Sequence, residues 1–407
     1  MYGVRDPFRR AQLAIAALFC FLGFQYATWA SRLPALKTRL DLSEAQLGLL
    51  LMACGVGAAV SFPLVAVLMK RMGSRRLAIV SAVCLSLLLL ALAAAPNYPV
   101  ALVVICCDGI AVGSLNVAMN AQGAALEAVH QRTAMARLHA TFSAGSLFAA
   151  LLASGVNLVT TDLAAHFGVA AVLLLLLVGP TCPGLLTEAE QVPAEAPAEE
   201  RTPAPEKGRR KLSMPSRMTV WMGGAMVFGT VTEGAMNDWS ALYMKDVVDA
   251  ASELAPMGIA VVSVMMVLAR VFADGWRSRW GDGRIVRVGS VLAGAGLALA
   301  LLAGGVVPTL IGFACVGLGV AAVTPCIYVA AAAQGTDALA LVAAMGTTGL
   351  LAGPAVIGFI AGAGSLVWGM AAVAASAILV SVCATQIRWP GPAAAARVLV
   401  PSPGPES

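Results

Sequence analysis

Charge is what this sequence has least of. Asp, Glu, Lys and Arg make up 12% of its 407 residues, where an ordinary soluble domain carries about a quarter. With 59% hydrophobic residues and a mean hydropathy of +0.86, a water-soluble fold is excluded. Histidine is also scarce: His130, His139 and His166 fall at no metal-ligand spacing with the nine cysteines, and no C-x-x-C pair occurs. Eight of those cysteines sit inside apolar runs and Cys182 ends one, which reads as free thiols packed between helices. There is no G-x-x-x-x-G-K-[S/T] loop to cradle ATP, no H-E-x-x-H and no hydrolase elbow, so no enzyme class and no cofactor is expected. The net charge of +5 is dispersed between apolar runs and forms no nucleic-acid patch.

What fills the chain is hydrocarbon. Apolar runs of about twenty residues, enough to cross roughly 30 Å of bilayer core, recur from end to end. Continuous runs predict helices, since a membrane β-barrel alternates apolar and polar residues. We read twelve spans, near 11–30, 45–69, 77–95, 99–124, 134–158 and 163–181, then 217–243, 255–276, 284–305, 308–333, 338–362 and 365–387. The first run has the basic start of a signal peptide, but the spans that follow make a retained helix the better reading. The Pro-, Glu- and Ala-rich stretch 187–215 cannot bury a core and predicts a disordered linker. The expected organisation is a six-helix bundle over 1–186, this linker, a second six-helix bundle over 216–390 and a disordered tail over 391–407.

Basic residues set the orientation. Arg5, Arg9, Arg10, the Lys70–Arg76 turn, Arg132, Arg137, the linker, Arg277–Arg287, Arg388 and Arg397 all fall on one side of this layout. Only Arg32, Lys37, Arg39 and Lys245 fall on the other, and Arg270 lies within a span. The positive-inside rule then puts both termini and the linker in the cytoplasm.

One stretch stands apart, Gly224–Asp238, which places Glu233 and Asp238 inside a single membrane-length helix. A carboxylate at mid-bilayer costs about 2.5–3.5 kcal/mol on insertion scales. Glu233 reads first as a proton- or ligand-binding carboxyl, with a structural carboxyl as the alternative. Asp238, beside Trp239 and Tyr243, reads equally as an interfacial anchor at a headgroup boundary. Asp108, next to Gly109 and Gly113 in small-xxx-small spacing, ranks just behind Glu233. His139 is a proton-relay candidate by its ordinary pKa, although a lone His is more often a structural hydrogen-bonder. Glu127 is expected to pair with Arg132 or Arg137.

The two halves echo each other. Lys70-Arg71-Met72-Gly73-Ser74-Arg75-Arg76 follows the second span, and Arg277-Ser278-Arg279-Trp280-Gly281-Asp282-Gly283-Arg284 follows the eighth. Such internal repetition is the mark of a secondary transporter. The plan resembles the major facilitator superfamily, whose signature loop reads roughly G-x-L-x-D-R-x-G-R-R. Arg71, Gly73 and Arg75 match it, whereas Lys70 stands in place of the acidic residue and Ala66 in place of the first Gly. Near the second copy, Arg270 and Asp274 are placed to pair as i,i+4 partners, so these five residues are read as the gating elements. Trp29-Ala30-Ser31-Arg32-Leu33-Pro34, Asn116–Gln122, Arg137–Ala140 and Glu233–Trp239 together are similar to the bacterial YbjJ-like branch near the fucose permeases.

The resemblance implies a central cavity lined by spans one, four, seven and ten, and a working monomer in the bacterial inner membrane. On that basis Gln25, Trp29, Arg32, Asn116, Asn120 and Tyr328 are the substrate-binding candidates. Arg32 reads alternatively as a side chain snorkelling to the interface, and the two asparagines as interhelical glue. Thr324-Pro325 predicts a bend in span ten, and the glycines of 346–358 predict a close-packed span eleven at the junction of the halves. The expected function is proton-coupled movement of a small organic solute by alternating access, leaning to efflux of a metabolite or drug-like compound. A sugar-type importer and an uncoupled facilitator are the alternatives.

Overall fold

The computed structural model describes residues 6–130, 132, 134–188, 190 and 216–389, the side chains of Ala136, Asp274 and Thr336 excepted. The expected tail, and the expected linker apart from Thr187, Glu188 and Glu190, lie outside the described residues. Among the described residues the regular structure is helical, without a strand. The first set is α1 (Pro7–Ala30), the short α2 (Leu33–Leu40), α3 (Glu44–Ala94), α4 (Tyr98–His130), α5 (Met135–Asn157) and α6 (Leu163–Thr181). The second is α7 (Arg217–Asp246), α8 (Met257–Trp280), α9 (Asp282–Ala303), α10 (Val306–Val320), α11 (Val323–Ala332), α12 (Thr336–Ala363) and α13 (Leu366–Thr385).

Local chemistry sets the helix ends. Asp6 caps α1 by accepting from the Phe8 amide, with Pro7 in the first turn, where its missing N–H costs nothing. Ser43 and Gln46 form a reciprocal capping box at the start of α3. At its other end, Arg39 donates to the carbonyls of Leu92, Ala93 and Ala95, in the last turn where the i+4 amides of the helix run out. The 51 residues of α3 would run about 76 Å as one straight rod. Instead Gly73, at φ 75° and ψ 166°, interrupts it within the basic turn, and only glycine takes that conformation without strain. Pro325 has no amide to offer the carbonyl of Ala321, and the chain turns at Ala321 and Ala322 between α10 and α11, the break that proline predicts.

Nine helical segments among the described residues are long and apolar enough to cross a membrane, with α3 and the joined α10–α11 each counted once. The polar residues of α7 keep it out of that group, and α8 contributes a shorter apolar run, Met257–Ala273. Large apolar side chains such as Val103, Leu176, Leu299, Ile311 and Trp368 face outward, a surface suited to lipid rather than water.

Within the first set, α3 packs on α4 and α6, and α1 on α5; within the second, α9 packs on α10 and α13, and α7 on α12 and α13. The sets meet along α3–α12 and α5–α8. Small residues permit the closest approaches. Gly346, Gly349 and Gly353 of α12 face α7, while a Cβ on Gly358 would lie 2.7 Å from the Glu44 carbonyl oxygen of α3. Span eleven therefore sits at the junction, as its glycines predict. Between α3 and α4 the contact is reciprocal: Gly57 lies on the Cys106 carbonyl and Gly109 on the Cys54 carbonyl, both rigid backbone. Gly109→Ala is expected to cost about 1–3 kcal/mol through this overlap, read as a lower Tm. Gly168→Ala, where an added Cβ meets no neighbour, should hold or raise it.

Candidate functional site

The centre of the molecule is a buried polar cluster hung on two consecutive residues of α1. Successive side chains on a helix diverge by about 100°, so Gln25 and Tyr26 reach different neighbours. The Gln25 amide donates to Asp108 Oδ1 of α4 at 2.7 Å. The Tyr26 hydroxyl donates to Asp238 Oδ1 of α7. Gln25 is 0% exposed, and Asp108 and Asp238 are 2% each. Among the described residues no basic side chain forms an ion pair with either aspartate. Asp108 Oδ2 and Gln25 Oε1 are buried without a partner. Ionising such a group leaves a charge uncompensated in a medium where that costs several kcal/mol.

Asp238 is therefore not an interfacial anchor. Trp239 is 0% and Tyr243 2% exposed, both packed among helices, with Tyr243 edge-on to Phe313 of α10. The Asp-Trp signal in the sequence marks a helix contact rather than a headgroup boundary.

Five residues before Asp238 and about 140° around the same helix, Glu233 belongs to a second cluster. Its Oε1 lies 3.1 Å from Nη2 of Arg270 on α8, and Nη1 of Arg270 donates to Ser143 Oγ of α5 at 2.6 Å. Arg270 thus pairs across helices; the side chain of Asp274, its expected partner one turn on, lies outside the described residues. Both side chains of the pair keep roughly a quarter of their surface exposed, 24% for Arg270 and 29% for Glu233. His139, one turn before Ser143, is exposed and edge-on to Phe19 at 4.9 Å.

The remaining candidates scatter. Trp29 is 1% exposed, edge-on to Tyr26, and presents no open face. Arg32 does not snorkel: it is 2% exposed and donates to Asn157 Oδ1 and the Thr161 carbonyl. Asn116 and Asn120 bond each other at 2.6 Å, with Asn116 exposed and Asn120 half-buried on α4. Tyr328 is half-buried on α11. Glu127 does not pair with Arg132 or Arg137; it accepts from the Met135 amide at 2.8 Å at the start of α5, and Arg132 lies over the Phe8 ring and 3.7 Å from Asp6.

At the basic turn, Arg71 and Arg75 line a cavity of about 490 Å³ with Gly73 and Glu188. The Glu188 carboxylate rests on Gly73. A carboxylate thus reaches this turn from beyond α6, where the chain has Lys70 in place of the acidic signature residue. Gln122 of α4 secures the arrangement, donating to Ser74 Oγ at 2.8 Å and to the Leu186 carbonyl at 2.9 Å while accepting from the Leu186 amide.

Among the described residues four polar contacts join the two helix sets: Tyr26–Asp238, Arg270–Ser143, Lys37–Asp246 and Asn157 to the Ser252 carbonyl. The last two close the end of the bundle opposite the basic turns. Burial opposes the charge on Lys37, but its hydrogen bonds to Asp246 at 2.6 Å and Glu44 at 3.0 Å outweigh that and hold its pKa above the ordinary lysine value. Sequence reasoning missed Tyr26, Ser143 and Asn157. Each is polar within or at the end of an apolar helix, a signal too common to single out without its partner.

Comparison with known proteins gives a consistent answer. Residues 13–336 match the family profile described as Major Facilitator Superfamily. An uncharacterized transporter, y4wD, of Sinorhizobium fredii (strain NBRC 101917 / NGR234) is 31% identical over 379 residues, covering 92% of this chain and 97% of that protein. An uncharacterized MFS-type transporter of Yersinia pestis is 31% identical over 87% of this chain and 90% of its own length. The membrane protein MosC of Rhizobium meliloti is 31% identical over 86% and 83%. Among solved structures, the nucleoside transporter NupG aligns with a TM-score of 0.69 at 14% identity, covering 94% of this chain and 98% of its own. FucP in the outward conformation aligns at 0.59 and 15% identity, with coverages of 94% and 99%.

Proposed function

We propose that this chain, which belongs to the Major Facilitator Superfamily, is a proton-coupled transporter of a small, polar, uncharged metabolite. Membrane transport itself follows from the family, whose members are transporters and not enzymes. The observation that carries the proton coupling is the α1 bridge, Gln25 to Asp108 and Tyr26 to Asp238. It ties one buried carboxyl of each helix set, neither in an ion pair among the described residues, to one helix, so a change of protonation alters how the sets are held together. The sequence puts Glu233 first for this role; its ion pair with Arg270 supports Asp238, with Asp108 second.

The cycle we propose is alternating access, in which a first bundle (1–186) and a second (216–390) rock about the α3–α12 and α5–α8 seams. Twelve crossings are reached by counting α3 as two legs and α10–α11 as one. By the positive-inside rule the termini and basic turns are cytoplasmic, in a bacterial inner membrane, with the monomer as the working unit. The contacts of Lys37 and Asn157 support a conformer closed on the outer face.

The polar groups partly exposed on α4 and α7 argue for an uncharged solute. Away from the helix ends they include the amides Asn116, Asn120 and Asn237 and a carboxylate, Glu233, already paired with Arg270. A cationic drug finds no unpaired acid among them, while hydroxyl-rich solutes match amide donors and acceptors. This favours the metabolite half of the efflux expectation over the drug half.

The test is ligand-induced stabilisation of the purified full chain against nucleosides, sugars, polyols, amino acids and cationic drugs. A ligand at about 100 Kd stabilises by roughly 2.7 kcal/mol. A rise in Tm with a neutral polar solute is expected, followed by accumulation of that solute in proteoliposomes under a pH gradient, its direction read from the sign of the gradient. A cationic amphiphile as the stabilising ligand overturns the substrate class. Movement unchanged by collapse of the gradient overturns the coupling and leaves a facilitator.

A further inference from the structure

The end of the bundle opposite the basic turns holds a cavity of about 480 Å³ that no role described so far uses. It lies where the α1–α2 turn, the α5–α6 turn and the α7–α8 connection converge, so both helix sets contribute to its wall. Arg32, Arg39, Asp162 and Asn157 line it from the first set, Lys245 and Ser252 from the second. Few basic residues of the chain fall on this side, and three of them line this one cavity.

The charges there are not balanced. Three cations face a single carboxylate, Asp162, which is committed to the first turn of α6, accepting from the Ala164 and Ala165 amides at 3.1 and 3.2 Å. Among the described residues none of the three cations forms an ion pair. Each donates instead to neutral oxygens: Arg32 to Asn157 and Thr161, Arg39 to the end of α3, Lys245 to the Ala250 carbonyl at 3.3 Å. Arg32 is 2% exposed, and its Nε is buried without any partner. A buried guanidinium with a free donor, two further cations and a cavity beside them are complementary to an anion, because phosphate and carboxylate oxygens accept from several N–H groups at once.

We propose that this cavity is a binding site for a phosphate or carboxylate group, held by Arg32, Arg39 and Lys245 across the junction of the two helix sets. The inference goes beyond the transport reading, because the site is separate from the Gln25–Asp108 and Tyr26–Asp238 cluster. With Lys245 on one set and both arginines on the other, a bound anion ties the sets together at this end, alongside Lys37–Asp246 and Asn157–Ser252. It thereby favours the conformer closed there.

The experiment titrates inorganic phosphate into the purified full chain, reading Tm and heat of binding, with sodium chloride at matched ionic strength as the reference. Lys245→Gln and Arg39→Gln are the variants, while Arg32 is left intact because its bonds to Asn157 and Thr161 hold the fold. The expected result is a saturable rise in Tm with phosphate, shifted to about tenfold higher concentration in Lys245→Gln and likewise in Arg39→Gln. That factor corresponds to about 1.4 kcal/mol. A phosphate effect no larger than that of chloride, or variants that titrate as the wild type, overturns the proposal. Lys245→Gln, which removes one weak bond to a carbonyl, keeps the test valid if Arg39→Gln fails to fold. Nanodiscs of phosphatidylcholine with and without phosphatidylglycerol identify the source. Loss of the phosphate titration in the anionic discs assigns the site to a lipid headgroup, and an equal titration in both assigns it to a free solute; either outcome supports the anion site.

Discussion

Asp238→Asn is expected to abolish solute accumulation driven by a pH gradient while leaving downhill exchange and folding intact. One pH unit is worth about 1.4 kcal/mol per proton, which sustains roughly tenfold accumulation for a one-proton cycle. Asparagine has the shape of aspartate and offers the same Oδ1 to the Tyr26 hydroxyl, so the bond between α1 and α7 survives. What is lost is the ability to take up and release a proton at a position 2% exposed and, among the described residues, without an ion pair. Coupling requires protonation and conformation to shift each other's equilibria, and an amide cannot report on pH. The accumulation ratio in proteoliposomes should therefore fall to unity. Tyr26→Phe, which keeps the carboxyl and removes its donor, should retain accumulation with an altered pH profile. Wild-type accumulation in Asp238→Asn would remove the proposed role of Asp238, and the same assay on Asp108→Asn and Glu233→Gln would then decide between the other carboxyls.

The second large effect concerns Arg270. Arg270→Gln should destabilise the protein by about 1–3 kcal/mol, below the 3–5 kcal/mol of a fully buried pair, because the partners keep 24% and 29% of their side-chain surface exposed. Most of the loss comes from leaving Glu233 without its counter-charge in a poorly solvated site. Glu233→Gln together with Arg270→Gln should therefore recover much of it, since two neutral amides can still hydrogen-bond. The double-mutant cycle measures this directly as a coupling energy of about 0.5–3 kcal/mol. Additive losses in Tm would show that Arg270 acts through Ser143 and the α5–α8 seam instead.

How much of this was legible in the sequence differs by kind of feature. Membrane embedding and helical class came from run length and composition, since an unsatisfied backbone in hydrocarbon is too costly for anything but helices or closed barrels. The break near Pro325, the turn at Gly73 and the junction position of 346–358 were also readable. Each depends on what a single residue type permits its own backbone to do: proline lacks a donor, glycine tolerates positive φ, and small residues admit a neighbouring helix.

Side-chain pairing was not readable. Gln25, Trp29 and Arg32 were legible as polar or aromatic residues of one span, but that packing covers all three was not. Nor could helical spacing show that Glu233, 37 residues away in sequence, is a partner of Arg270. Local periodicity fixes direction around a helix axis to within a turn. Which neighbour stands in that direction depends on how the two helix sets pack, and that is set by many weak contacts spread over the whole chain. The sequence by itself thus determined that carboxylates lie within the membrane. Tertiary structure decided that one of them, Glu233, is neutralised by Arg270, while Asp108 and Asp238 are buried without an ion pair among the described residues, because a counter-charge from a distant segment arrives only when the helices are assembled.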